Sequence, residues 1–238
     1  MPCYLKVATY NIHRCYGNDG IFDPQRISRV IRELDADVIA LQEVETFTDG
    51  GDNILDMFET QTGYTVIPGP TLYRGDSSYG NAVLTKRAAE HVDELDISVP
   101  RSEPRGVISL RYTIASQHIH IIATHLGLKS RERKRQVQRI TELIDQPAAD
   151  VTVLMGDINE WFPWGKISRQ LTRVFGKCAT PNTFPSHFPI FALDQIRSYP
   201  ASCIENLEPV VTPLTRKASD HLPLRATLQI ISDNKMGD

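Results

Sequence analysis

Short apolar runs that stop at polar residues constrain the fold of this chain more than any other feature. Val38-Ile39-Ala40-Leu41 runs into Gln42 and Glu43. Ile121-Ile122-Ala123 runs into Thr124 and His125, and Val153-Leu154-Met155 into Gly156, Asp157 and Asn159. Leu5 to Tyr10 leads into Asn11 and His13, and Ser219-Asp220-His221 stands just before the last apolar segment. Apolar runs this short, flanked by turn residues, read as strands buried in a sheet. Side chains at the ends of strands that share a sheet edge converge, so these polar groups are candidates for one site.

The segments between them alternate in character. Asp23-Pro24 reads as an N-cap with proline in the first helical turn, followed by Ile27, Val30, Ile31 and Leu34 at helical spacing. Asn53 to Thr62 reads as a second helix, and Ser130 to Asp145 as the longest. A long glycine- and serine-containing loop is expected around Arg74 to Tyr79. Strand-like alternation covers Asn81 to Thr85, Val92 to Ile97, Val107 to Thr113 and His118 to Ala123. Pro200 to Pro213 reads as irregular with strand pieces, and Leu222 to Ile231 as a final strand. Two sheets packed together with helices outside would bury this pattern.

At 238 residues and 41% hydrophobic, the chain can bury one sizeable core, and a single domain over 1–238 is the natural reading. A net charge of -3 argues against a globally basic nucleic-acid coat but allows a local basic face. Cys3, Cys15, Cys178 and Cys203 lack metal-type or redox-type spacing. They read as reduced packing thiols, the alternative being bridges in an exported protein. No targeting segment and no bilayer-spanning run is visible, so a cytoplasmic, monomeric protein is the default expectation. A glycine-rich nucleotide loop and a nucleophile elbow are missing as well, which removes support for kinase and serine-hydrolase chemistry.

The residue types at the strand ends fit one job. Carboxylates suit a hard divalent cation, asparagines can donate to phosphate oxygens, and histidines can move protons. Any one of them alone has a bland reading as a turn cap or a hydrogen-bonded core residue. The repetition at several strand ends is what makes the set informative.

Thr9-Tyr10-Asn11, Leu41-Gln42-Glu43, Thr124-His125-Leu126, Gly156-Asp157-Ile158-Asn159, Leu193-Asp194 and Ser219-Asp220-His221 resemble, in order, the motifs of the endonuclease/exonuclease/phosphatase superfamily. The resemblance spans nearly the whole chain and implies an α/β (α+β) fold, a four-layer αββα sandwich with its site at one rim of the paired sheets. It implies magnesium as cofactor, with manganese able to stand in. Glu43 would be the main metal ligand, with Asn11 and Asp220 in support. Asp194 and His221 would form a carboxylate–histidine pair, and Asp157 and Asn159 would position the attacking water and a phosphoryl oxygen. His125 would donate to the phosphate or protonate the leaving group. Histidine at that position resembles the deoxyribonuclease I, deadenylase and sphingomyelinase branches. Gln195 departs from the usual histidine or tyrosine after Leu-Asp, which puts the contacts behind Asp194 in doubt.

Asn81 and Arg105 resemble phosphate-facing positions, and Arg131 opens a basic stretch, Arg131-Glu132-Arg133-Lys134-Arg135, directly after the His125 strand. His13, Arg14 and His187 are further rim candidates. The expected partner is a phosphate-ester substrate, with nucleic acid favoured by the basic stretch and a phospholipid or a small, inositol phosphate-like ester as the alternative; Trp161-Phe162-Pro163-Trp164 could stack on bases or enter a lipid interface. A catalytically idle binding module of the same fold is a third reading that no residue recommends.

Overall fold

Alternation of apolar side chains on successive strands decides the architecture. A computed structural model describes residues 3–47, 53–144 and 149–230. In chain order these form β1 (Cys3–Asn11), α1 (Pro24–Leu34), β2 (Val38–Phe47), α2 (Ile54–Thr62), β3 (Thr65–Arg74), β4 (Ser77–Thr85), β5 (His91–Asp96) and β6 (Gly106–Ile114). There follow β7 (Gln117–His125), α3 (Ser130–Ile144), β8 (Val151–Asp157), α4 (Lys166–Phe175), β9 (Asp194–Tyr199), β10 (Ile204–Pro209), α5 (Pro213–Ala218) and β11 (Leu224–Ile230). The strands build a six-stranded sheet in the order β10-β11-β1-β2-β4-β3 and a five-stranded sheet in the order β5-β6-β7-β8-β9. Both are mixed: β1 and β2 are parallel, as are β7 and β8, and the remaining neighbours are antiparallel.

Each central strand is buried on both faces. On β1, Leu5 and Val7 enter the core between the sheets with Val38, Ile121 and Val153, while Ala8 and Tyr10 face α1 and α2. On the other sheet, Ile122 and Leu154 turn outward against Val137 of α3 and Leu171 of α4. Three apolar layers thus separate four layers of structure, the expected αββα sandwich. Each fully buried Val, Leu or Ile contributes about 1.5–3 kcal/mol relative to exposure, so the layer between the sheets carries much of the stability.

The cap at Asp23 holds as read: its carboxylate accepts from the Arg26 amide, with Pro24 opening the helix. Asn53 caps α2 in the same way. Asp145 and Ile231, the outer limits expected for α3 and the final strand, lie outside the described residues. The loop expected around Arg74 to Tyr79 is instead a tight hairpin between β3 and β4, turning at Gly75, whose φ of 55° is left-handed. Pro68 and Pro70 hide β3 in the sequence, yet it is an edge strand, where a missing N–H costs no ladder bond. Pro200 to Pro213, read as irregular with strand pieces, holds β10, and a short helix not read from the sequence, α5, capped by Thr212, begins at its end. Cys15 and Cys203 are buried, and all four cysteines are free thiols. No helix among the described residues is long and apolar enough to cross a membrane.

Candidate active site

Strand register brings three of the expected residues into one row. His125 pairs with Asp157, and Asp157 with Asp194, at the same end of β7, β8 and β9. The period of two that sends Val153 and Met155 into the inter-sheet core sends Asp157 to that side as well. Asn11, in register with Gln42, closes the row from the other sheet. Its amide nitrogen donates to Glu43 Oε1 at 3.0 Å and to Asp157 Oδ2 at 3.1 Å, so it ties the two sheets together through two carboxylates. Its oxygen accepts the His13 amide at 3.0 Å and is turned away from them. Asn11 therefore positions carboxylates in this arrangement and does not offer them an oxygen neighbour.

Glu43 reaches this place through backbone geometry. Period-two alternation after Ile39 and Leu41 would aim it at the helix layer. A β-bulge between Leu41 and Val44, with Glu43 at φ 57°, redirects it toward Asn11. Asn159 is likewise left-handed at φ 53°, and its amide N–H bonds Asp157 Oδ1 at 2.9 Å. Gly156, at φ 152°, has no alternative, because a Cβ there would meet Thr124 O at 1.8 Å.

His221 Nδ1 donates to Asp194 Oδ2 at 2.8 Å, and the same oxygen accepts the Thr183 hydroxyl. Among the described residues, no hydrogen-bond partner meets the buried Asp194 Oδ1. Burial alone would push the His221 imidazole down, but the charge and hydrogen bond of Asp194, with Asp157 behind, raise it to about 10. Burial pushes the Asp157 carboxyl up to about 7 against the opposing pull of His221. His221 Nε2 lies 3.9 Å from Asp157 Oδ2, a gap one water can bridge.

His125 is fully enclosed. Burial first, and the Arg105 charge second, hold its imidazole well below the ordinary range, so it is neutral. Arg105 can only donate, at 3.0 Å to His125 Nδ1, which places the ring proton on Nε2. Nε2 lies 3.1 Å from the Asn159 side-chain nitrogen, a second donor, whose other hydrogen goes to Leu126 O. Nε2 also stands 3.5 Å from Asp157 Oδ2, so its N–H borders the carboxylate that faces His221.

The remaining expected residues divide. Asp220 Oδ1 stands 3.8 Å from His13 Nδ1 at the same rim. Asn81 is buried on β4 and donates to Gly106 O at 3.3 Å, joining the sheets beside the site. Arg131 is exposed on the first turn of α3, outside the cluster, and His187 is exposed on the loop after Phe184. Arg14 lies over the Tyr79 ring at 5.2 Å. Gln195 turns to the opposite face of β9 from Asp194 and accepts from Arg197 at 2.9 Å, so its departure from the family pattern leaves the His221 pair untouched. Sequence reasoning missed Thr183 and Phe184. The first fixes Asp194, and the second sets its ring 4.8 Å from that of His221. Only their position shortly before Leu193-Asp194 hinted at either.

The donor set tests the fit of a divalent cation. Asp157, Asp194 and His221 offer buried ligand atoms within 4.8 Å of one another. One oxygen of Asp194 is already committed to His221 and Thr183, whereas Glu43 is half-buried and oxygen-donating from the facing sheet. An oxygen-rich set of this kind suits a hard cation that keeps part of its hydration. The residues fit such an ion.

Comparison with known proteins agrees with this geometry. The model of the Endonuclease/Exonuclease/phosphatase family matches residues 8–221, which include every motif above. The chain belongs to the endonuclease/exonuclease/phosphatase family. As a member, it falls within a phosphoesterase superfamily that is generally dependent on divalent metals. It is 29% identical to YbhP of Escherichia coli strain K12 over 95% of this chain and 96% of that protein. A family member from Bacteroides thetaiotaomicron superposes with a TM-score of 0.79 at 18% identity, covering 97% of this chain and 99% of that one. The mannosyl-6-phosphatase Bt3783 of the same organism superposes at 0.69 with 16% identity, covering 95% and 100%.

Proposed function

We propose that this family member is a magnesium-dependent phosphodiesterase whose attacking water is held between His221 Nε2 and Asp157 Oδ2. The observation that carries this reading is the row His125, Asp157 and Asp194 facing Asn11 and Glu43, with His221 hydrogen-bonded to Asp194. Glu43 and Asp220 would hold the cation. When bound, magnesium supplies positive charge that offsets the phosphate oxygens and the developing charge on the leaving oxygen. The 3.9 Å gap lets one water bridge the two side chains, with Asp157 taking its proton beside the charged imidazole of His221. Asp194 orients the imidazole and stabilises its protonated form. His125 and Asn159 donate to a phosphoryl oxygen from one side, and Arg105 keeps His125 in the donating tautomer.

Two substrate classes carry a phosphodiester of this kind. Nucleic acid is supported by the exposed cations Arg131, Lys134 and Arg135 beginning directly beside the rim. A phospholipid headgroup is supported by a different observation: Phe162 and Trp164 stand out from the loop after Asn159. The mannosyl-6-phosphatase activity of one structural neighbour shows that its fold also serves small phosphate esters.

The test is hydrolysis of single-stranded DNA, RNA, phospholipid vesicles and a soluble chromogenic phosphodiester with magnesium, comparing wild type with Glu43→Gln and His221→Gln. Loss of about a hundredfold or more in both variants is expected. Variants that cleave as well as wild type would refute the assignment.

A further inference from the structure

Three loops meet beside the catalytic row. Trp161 packs on Phe191 at 4.9 Å and on Phe184 at 5.8 Å, and Phe184 touches His221. A cavity of about 450 Å³ is lined by Ser130 and Arg133 of α3, by Trp161, Phe162 and Lys166, and by Phe191. It therefore joins the loop leading into α3, the loop leading into α4 and the loop leading to β9. The tips of these loops are apolar and open to solvent: Leu128, Phe162, Trp164, Phe188 and Ile190 are each 51–72% exposed. Exposed apolar residues scattered singly are ordinary, but several on adjoining loops mark an interaction surface.

Two of these segments, those leading into α3 and α4, are basic. Lys129, Arg131, Lys134, Lys166 and Arg169 are exposed, and the carboxylates among them, Glu132 and Glu160, are both buried. Glu160 is spent on Arg133 and the Ile167 amide, and Glu132 on Gln136. Lys166 also lines a second groove, of about 480 Å³, with Lys134, Arg169 and Arg173. In a chain of net charge -3 this face is strongly positive.

We propose that these loops dock the enzyme on an anionic lipid bilayer, setting the catalytic rim against the headgroup layer. The proposal rests on the phosphodiesterase reading only for what the docked site then hydrolyses. Aromatic and aliphatic tips ringed by lysine and arginine match the chemistry of a membrane interface, where apolar side chains enter the acyl boundary and cations meet anionic headgroups. A nucleic-acid strand accounts for the cations and for Phe162 and Trp164, whose rings can stack on bases. It does not account for Leu128 and Ile190, which have no ring to stack and gain only by leaving water.

The experiment is vesicle sedimentation in chelator, so that binding is read without hydrolysis. Wild type is compared on phosphatidylcholine alone and on an equimolar mixture with phosphatidylglycerol. Binding to the mixture and not to phosphatidylcholine is expected, with a blue shift of tryptophan emission on docking. Leu128→Ser combined with Ile190→Ser, and separately Lys129→Glu combined with Lys166→Glu, should each weaken partitioning by about tenfold or more. Both double variants should hydrolyse the soluble chromogenic diester as wild type does, which also certifies their folding. Glu43→Gln should dock normally, so failure of docking and failure of the catalytic reading are separable. No binding to the mixed vesicles, binding that neither double variant weakens, or capture of single-stranded DNA in place of vesicles would overturn the proposal.

Discussion

At Asp194 one carboxylate oxygen takes two hydrogen bonds while the other is buried with none from the described residues. That asymmetry makes the residue an orienting group whose charge acts through His221. Asp194→Asn keeps the shape and removes the charge. The His221 imidazole should then fall from about 10 toward or below the ordinary range, because burial is left with less to oppose it. Activity on the chromogenic diester should drop about 10³-fold through misorientation of the ring. Proton titration of His221 by NMR checks the first outcome, and an unchanged titration would show that Asp157 alone sustains it. Asn11, Glu43, His125, Asp157, Asn159, Asp220 and His221 were legible as candidates, because each sits where an apolar strand stops or starts, whereas Asp194 was legible only through the resemblance of Leu193-Asp194 to a family motif. Thr183 was not legible: a hydroxyl that bonds a carboxylate eleven residues on has no local signature.

At the scale of the element, the site depends on backbone irregularities that no propensity encodes. The bulge in β2 turns Glu43 from the helix layer to the inter-sheet face, and the left-handed Asn159 folds the end of β8 back over Asp157. Gly156 lets β8 pass Thr124 closely enough to form this end. Gly156→Ala should cost at least about 3 kcal/mol, since the added carbon meets backbone and not a movable side chain. Urea unfolding measures the cost, and a variant within about 0.5 kcal/mol of wild type would show that β8 can yield. The helices were easier to read than this end. Asp23-Pro24 caps where expected because capping is a local bond, and Asn53, read as the first residue of the second helix, is its cap. α4 was missed although Ile167, Leu171 and Phe175 recur at helical spacing, because Gly165 at its start supplies no capping side chain.

Across the whole molecule, folding is linked to pH through buried histidines, one of which, His120, stands apart from the site residues. His120 lies on β7 with Nε2 2.8 Å from Ser109 Oγ, and burial, helped by the Arg111 charge, lowers its imidazole to about 4. The folded chain therefore binds fewer protons here than the unfolded chain, whose histidine titrates near 6.5. Its contribution to stability is complete above pH 6.5 and is lost as pH falls toward 4, by an amount on the order of 2–3 kcal/mol. His120→Gln should flatten that loss, measured as urea midpoints of both proteins at either end of the window. Equal losses in the two proteins would assign the acid sensitivity elsewhere.

Composition and periodicity by themselves determined the layered α/β architecture, because burial of alternating apolar faces leaves few ways to stack strands and helices. They also determined which polar residues stand at strand ends, since a run of apolar residues has a visible limit. Tertiary structure alone decided which of these meet. Register placed His125, Asp157 and Asp194 in one row, and the packing of one sheet on the other brought Asn11 to Asp157. It also divided residues that the sequence presents as one group. Arg131 and Lys134 face solvent while Arg133 is buried against Glu160, and Trp161 packs inward while Phe162 and Trp164 face out. Neighbours in sequence share composition, but a helix rotates successive side chains about its axis and a loop can send them to opposite sides. Exposure is therefore settled only when the other layers are in place.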